Sequence, residues 1–177
     1  MSLIEIRQLS DHTRLGLWRM DEPFDGSARE KERDAVHRLL HAMTGDDTLC
    51  IGHEPSGKPT LLGWHISVSH TRGFAALILS DRQEVAVDIE YQSDRVGRIA
   101  KKFIRDDEPV ASIEDMLLLW SAKETLYKLH SSAHLQYFDM RLREMSDAVM
   151  LLEDMKLNQI VAIHFECSAD YVLTYSF

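Results

Sequence analysis

Apolar residues recur along this chain with two different periods, and the switches between them mark out its elements. Over residues 28–43, Ala35, Val36, Leu39, Leu40 and Met43 fall at helical spacing with charge on the opposite side, and Thr44-Gly45-Asp46 supplies a stop. A second helix is predicted over 95–104. It sets Val96, Ile99, Ala100 and Phe103 on one side and Arg95, Arg98, Lys101, Lys102 and Arg105 on the other. A longer one over 113–130 carries Ile113, Met116, Leu117, Trp120 and Leu126. Short β-type runs bounded by turn residues occupy 3–9, 65–69, 74–79, 85–89, 137–142, 148–152, 160–167 and 170–175. The stretch after residue 9 reads as irregular as far as the turn Asp25-Gly26-Ser27, and Pro55 to Pro59 reads as a loop.

Runs of strands set apart from runs of helix predict an α+β fold built from antiparallel meanders. The pattern before and after Gln83 looks alike, helix material followed by a meander, so the chain divides into halves 1–83 and 84–177. No sequence repeat accompanies this likeness. At 177 residues the chain is long enough for one compact unit, or for two small halves sharing a core.

Composition changes this picture little. With 45% hydrophobic and 28% charged residues the chain is expected to pack a core. No run approaches the roughly 20 apolar residues of a membrane span. The first fifteen residues lack a signal-peptide core, so a cytoplasmic protein away from membranes is expected. The net charge of −9 argues against nucleic acid as a partner, because phosphate neutralisation needs a surplus of Lys and Arg on the docking face. Cys50 and Cys167 show no paired spacing and read as small core residues.

Three constellations carry candidate chemistry. In the strand Val85 to Glu90, Asp88 and Glu90 stand at i, i+2 and share one face. Such a pair suits Mg²⁺, which takes one or two carboxylates together with phosphate oxygens, and it equally suits a solvated strand end. The helical stretch Trp120 to Lys128 gathers Trp120, Lys123, Glu124, Tyr127 and Lys128 around one side, either as a phosphate site or as an exposed i, i+4 ion pair beside a packed indole. Ser67-Val68-Ser69-His70-Thr71 ends a strand just after Gly57-Lys58-Pro59, where small hydroxyls, an imidazole and a lysine can meet a phosphate. Nucleophilic hydrolysis is disfavoured, since no GxSxG elbow is present and neighbouring strand residues point apart. His37 and His41 stand at i, i+4 on the first helix without a third ligand pattern, and read as a polar face.

Taken in order, Gly57-Lys58-Pro59, the Ser69-His70 strand end, the Val85 to Glu90 strand and the Trp120 to Lys128 helix resemble the phosphopantetheinyl transferase superfamily, in its surfactin-synthetase-activating, single-chain type. Phe103 to Glu108 and the strand Phe138 to Leu142 add to the likeness, which covers residues 30–142. Ala86 stands where the family has a glycine, and 1–28 and 143–177 match no motif.

The resemblance implies two similar halves, each a helix on a small antiparallel sheet, related by a pseudo-twofold with the active site between them. It implies Mg²⁺ bound by Asp88, Glu90 and Glu124, and coenzyme A as co-substrate. By the same resemblance Glu124 would take the proton from a carrier serine, and Lys123 and Lys128 would stabilise the pyrophosphate and the leaving group. Lys58, Ser69 and His70 would hold the adenine-side phosphates, with charge added from among Arg29, Lys31 and Arg33. An acidic acyl or peptidyl carrier protein is the implied partner, docking on Arg95, Arg98, Lys101, Lys102 and Arg105. Two rival expectations are a catalytically silent homologue that binds coenzyme A or a carrier protein, and a metal-dependent phosphohydrolase.

Overall fold

The computed structural model describes residues 2–177, an α+β protein of mostly antiparallel strands with two long helices. It forms two compact units, one running through Ile89 together with Phe177 and the other spanning Glu90–Ser176. The division thus falls within a strand, beyond the 83/84 position read from the sequence. No helix of the described residues is long and apolar enough to cross a membrane.

In the first unit, β1 (Ser2–Ser10) and β2 (Thr13–Arg19) form a hairpin. Then come α1 (Ala28–Thr44), the two-residue strands β3 (Gly52–His53) and β4 (Pro59–Thr60), and β5 (His65–Thr71) and β6 (Phe74–Ser80). The main sheet has the order β1-β2-β6-β5. Strand β2 lies in the stretch read as irregular. Gly16 at its centre looks like a breaker in sequence, yet it is where α1 comes closest. A Cβ there would lie 2.6 Å from Met43 Sδ and 2.7 Å from Leu39 Cδ1.

The apolar stripe of α1, Ala35, Val36, Leu39, Leu40 and Met43, packs with Trp18, Ala75, Leu77 and Leu79 into one core. Ser27 caps this helix in a reciprocal box with Glu30, and Gly45 closes it in the left-handed region at φ 72°. Strand β6, buried along its whole length, has β2 on one side and β5 on the other. The neighbouring runs predicted at 65–69, 74–79 and 85–89 therefore do not make one meander: the first two form a hairpin, and β7 (Ala86–Tyr91) joins a different sheet.

That sheet has the order β7-β11-β10-β9-β8, and the last two residues of β7, Glu90 and Tyr91, belong to the second unit. Its other strands are β8 (Met140–Met145), β9 (Val149–Asp154), β10 (Gln159–Cys167) and β11 (Tyr171–Ser176). Helix α2 (Ile113–Leu129) starts at Ser112, whose hydroxyl accepts from Asp115 N, and packs Leu119, Ala122 and Leu126 against Met140, Leu152, Ile163 and Val172.

The helix predicted over 95–104 is instead two short 3-10 turns, Asp94–Arg98 and Ala100–Lys102, broken at Ile99. Gly97 lowers the helical preference here, and only Val96 and Phe103 of the expected apolar side are fully buried. Strand β8 begins later than predicted. Gln136 and Asp139 cap one another around a 3-10 turn, Tyr137–Asp139, that takes the place of its first residues. Cys50 and Cys167 are exposed thiols rather than core residues.

Candidate functional site

Strand β7 carries the first two candidate ligands. In the first unit, Ser67 and Ser69 of β5 reach it through side chains: Ser67 Oγ accepts from Val87 N and Ser69 Oγ from Ile89 N, both at 3.2 Å. Ser69 Oγ also donates to Asp88 Oδ1 at 2.9 Å. Asp88 is buried, so this hydroxyl fixes the carboxylate's direction and helps offset its desolvation. Ser69 is itself buried, with its oxygen engaged on both sides. It serves the carboxylate rather than a phosphate, which departs from the role inferred by resemblance.

His70, next along, is half exposed, with Nδ1 3.5 Å from Glu32 Oε2 on α1. Lys58 Nζ donates to Glu84 Oε2 at 3.0 Å, and His65 Nδ1 lies 2.9 Å from Glu84 Oε1. Partial burial would push the Glu84 carboxyl up, but the hydrogen bonds from Lys58 and His65 outweigh it and hold it below its ordinary range. Glu84 has no counterpart among the sequence motifs. Only its place ahead of the β7 run hinted at it.

Within the second unit, the end of β7 meets α2. Trp120 Nε1 donates to Glu90 Oε1 at 3.0 Å. One helical turn on, Glu124 Oε1 accepts from the Tyr137 hydroxyl at 2.7 Å. The two aromatic donors pack together, ring centroids 5.0 Å apart, and Phe103 meets Trp120 edge-on at 5.1 Å. Glu124 opens onto a recess of about 320 Å³ lined by Tyr127, Leu135, Gln136, Tyr137 and Met140. Leu135 and Met140 are buried and give it an apolar floor. Tyr137 escaped the sequence reading because its segment was taken for regular strand, where its hydroxyl has no defined target.

Lys123 is placed differently from the sequence reading, which grouped it with Trp120 and Glu124 on a phosphate-facing side. Its side chain is 0% exposed and its Nζ donates to Glu108 Oε2 at 2.9 Å, Phe103 O at 2.8 Å and Tyr137 O at 3.4 Å. Three acceptors use the three ammonium protons. Glu108, equally buried, also accepts from Arg105 N at 2.8 Å and Leu142 N at 2.7 Å. Burial pushes the Lys123 ammonium down from its ordinary value, and Glu108 opposes that shift. The pair ties the 3-10 segment, α2 and β8 together, so Lys123 is a structural tether.

Of the expected basic stripe, Arg95, Arg98, Lys101 and Lys102 are exposed on the 3-10 turns. Arg105 is tethered to Asp107 at 2.8 Å and to Phe138 O at 2.6 Å, and the hydrogen bond to the Asp107 carboxylate raises its already high pKa. With Lys101 it lines an open groove of about 720 Å³ that also includes Ile104, Val110, Met116 and Phe138. His37 and His41 pack in a T-shaped arrangement with ring centroids 6.2 Å apart, and burial pushes His37 down.

Among the described residues no group of three or more His, Cys, Asp or Glu side chains is drawn together as a metal cluster. The donor chemistry of Asp88, Glu90 and Glu124 nonetheless fits Mg²⁺. All are hard carboxylate oxygens, each oriented by a neighbouring donor, and hard oxygen ligands are what Mg²⁺ takes. No family model matches this chain, and no curated protein matches it.

Proposed function

We propose that this protein transfers the 4′-phosphopantetheine group of coenzyme A to a serine of an acyl or peptidyl carrier protein, with Mg²⁺ held by Asp88, Glu90 and Glu124. The observation that carries this reading is the pairing within the second unit of two carboxylates, Glu90 and Glu124, with the packed donors Trp120 and Tyr137. Asp88 stands two residues before Glu90 on the same side of β7, held by Ser69. These are the acids that the ordered motifs single out. The same reading takes the two units as the paired halves of the family's single-chain type.

The reaction needs positioned charge more than a nucleophile from the protein. The carrier serine oxygen attacks the phosphorus that bears pantetheine, the bond from that phosphorus to the bridging oxygen of adenosine 3′,5′-bisphosphate breaks, and the serine proton passes to Glu124 and on to solvent. Bound Mg²⁺ would supply neutralisation of the pyrophosphate charge. Lys128, one turn after Glu124, stabilises the departing bisphosphate. Lys58 and His70 hold the adenine-side phosphates, Lys58 leaving Glu84 to do so.

The recess beside Glu124 receives the pantetheine arm. Its apolar floor of Leu135 and Met140 suits the dimethyl carbon, and Gln136 offers an amide to the arm's own amides. The exposed cations Arg95, Arg98, Lys101 and Lys102 face an acidic carrier.

Incubation of the protein with coenzyme A, Mg²⁺ and an apo carrier, followed by intact mass spectrometry, tests the reading. A carrier heavier by one phosphopantetheine supports transfer. Coenzyme A binding with no carrier modified points to the silent homologue, and coenzyme A cleavage without carrier points to a phosphohydrolase.

A further inference from the structure

We infer that Tyr137 is a positioning residue for the proposed transfer: its phenol sets the direction of the Glu124 carboxylate and so tunes metal capture and turnover. The inference rests on the transfer reading but is carried by its own geometry. The ring of Tyr137 packs on Trp120 at 5.0 Å and lies 6.4 Å from Phe103, contacts that a phenylalanine would make equally well. What the hydroxyl adds is the 2.7 Å bond to Glu124 Oε1. It comes from outside helix α2, so it restrains the glutamate in a way the helix cannot.

Both ends of that bond are fixed. On the donor side, Gln136 N donates to Asp139 Oδ2 at 2.7 Å, Arg105 Nη1 to Phe138 O at 2.6 Å, and Met155 N to Asp139 O at 2.8 Å. Lys156 pairs with Asp139 at 3.0 Å. On the acceptor side, neighbouring Lys123 is pinned to Glu108 and also donates to Tyr137 O. A glutamate has three rotatable side-chain bonds. A donor on a rigid turn selects among its rotamers before substrate arrives, which is how a supporting hydrogen bond raises both metal affinity and rate.

Tyr137→Phe is the test, since it keeps the ring and removes one donor. Mn²⁺ affinity is read directly by electron paramagnetic resonance of the free ion, without carrier or turnover, and kcat and KM are read with carrier present. We expect Mn²⁺ affinity and kcat each to fall about tenfold while the KM for coenzyme A changes less than about twofold, with only a small drop in melting temperature. In a Glu124→Gln background the same substitution should have no further effect on Mn²⁺ affinity, because the group it orients is gone.

A Tyr137→Phe protein with wild-type Mn²⁺ affinity and kcat overturns the inference and leaves the transfer reading standing. So does a loss of the same size in the Glu124→Gln background. Wild-type protein that takes up Mn²⁺ but modifies no carrier overturns the transfer reading, and the Mn²⁺ affinities still decide the role of Tyr137. Wild-type protein that does neither overturns both.

Discussion

Trp120 Nε1 donates to Glu90 Oε1 at 3.0 Å, joining the last carboxylate of β7 to the middle of α2. Tryptophan is large enough to pack on Phe103 and Tyr137 while its one polar atom reaches an acid on the neighbouring strand. Trp120→Phe keeps most of the packing and removes the donor. We expect transfer to fall about 10- to 100-fold at a stability cost of about 1–2 kcal/mol, measured by carrier modification rate and urea unfolding.

The buried pair Lys123 and Glu108 governs stability. Lys123→Met leaves the Glu108 carboxylate buried with its cation removed, and should destabilise the protein by about 3–5 kcal/mol in urea titration. Adding Glu108→Gln removes the stranded charge while retaining an acceptor for Arg105 N or Leu142 N, so the double variant should recover part of that loss. Equal stability of the single and double variants would contradict the pairing.

How much of this was legible in the sequence follows from where the forces act. Helices α1 and α2 were visible because their apolar stripes repeat within the chain, and the hairpin β5–β6 because its runs are short and bounded by turns. Strand β2 was hidden by Gly16, whose reason lies in Leu39 and Met43 on α1. The carboxylates Asp88, Glu90 and Glu124 could be picked out from spacing and motif order. The hydrogen bonds that Ser69, Trp120 and Tyr137 make to them could not, because hydrogen bonds between distant segments leave no period in sequence. Lys123 was misassigned for the same reason: helical spacing gives its angle around α2, while its burial depends on Glu108 in the preceding loop.

The close approach at Gly16 gives a stability prediction of its own. Gly16→Val must displace Leu39 Cδ1 and Met43 Sδ from a filled core, and should cost about 1–3 kcal/mol by thermal or urea unfolding. A variant as stable as wild type would show that α1 can move off β2 freely.

Acid should loosen the start of α1. Backbone and side-chain hydrogen bonds from Ser27 hold the Glu30 carboxyl below its ordinary value of 4.5. A lowered folded-state pKa means that the stabilisation is complete above the unfolded value and is lost as pH falls through the folded one. Amide protection factors at Glu30 and Lys31 should therefore drop as the pH is taken below about 4.5, and Glu30→Gln, which removes the titrating group, should abolish that dependence.

The central claim is that Asp88, Glu90 and Glu124 serve one metal-dependent transfer. Its most direct test is the intact mass of a panel of apo carrier proteins after incubation with coenzyme A, with and without Mg²⁺, for wild type, Asp88→Ala and Glu124→Gln. The account predicts a phosphopantetheine adduct on at least one carrier with wild type and Mg²⁺, and none with either variant or with chelator. An adduct formed equally well by Asp88→Ala and Glu124→Gln, or no adduct on any carrier with the wild-type protein, would contradict it.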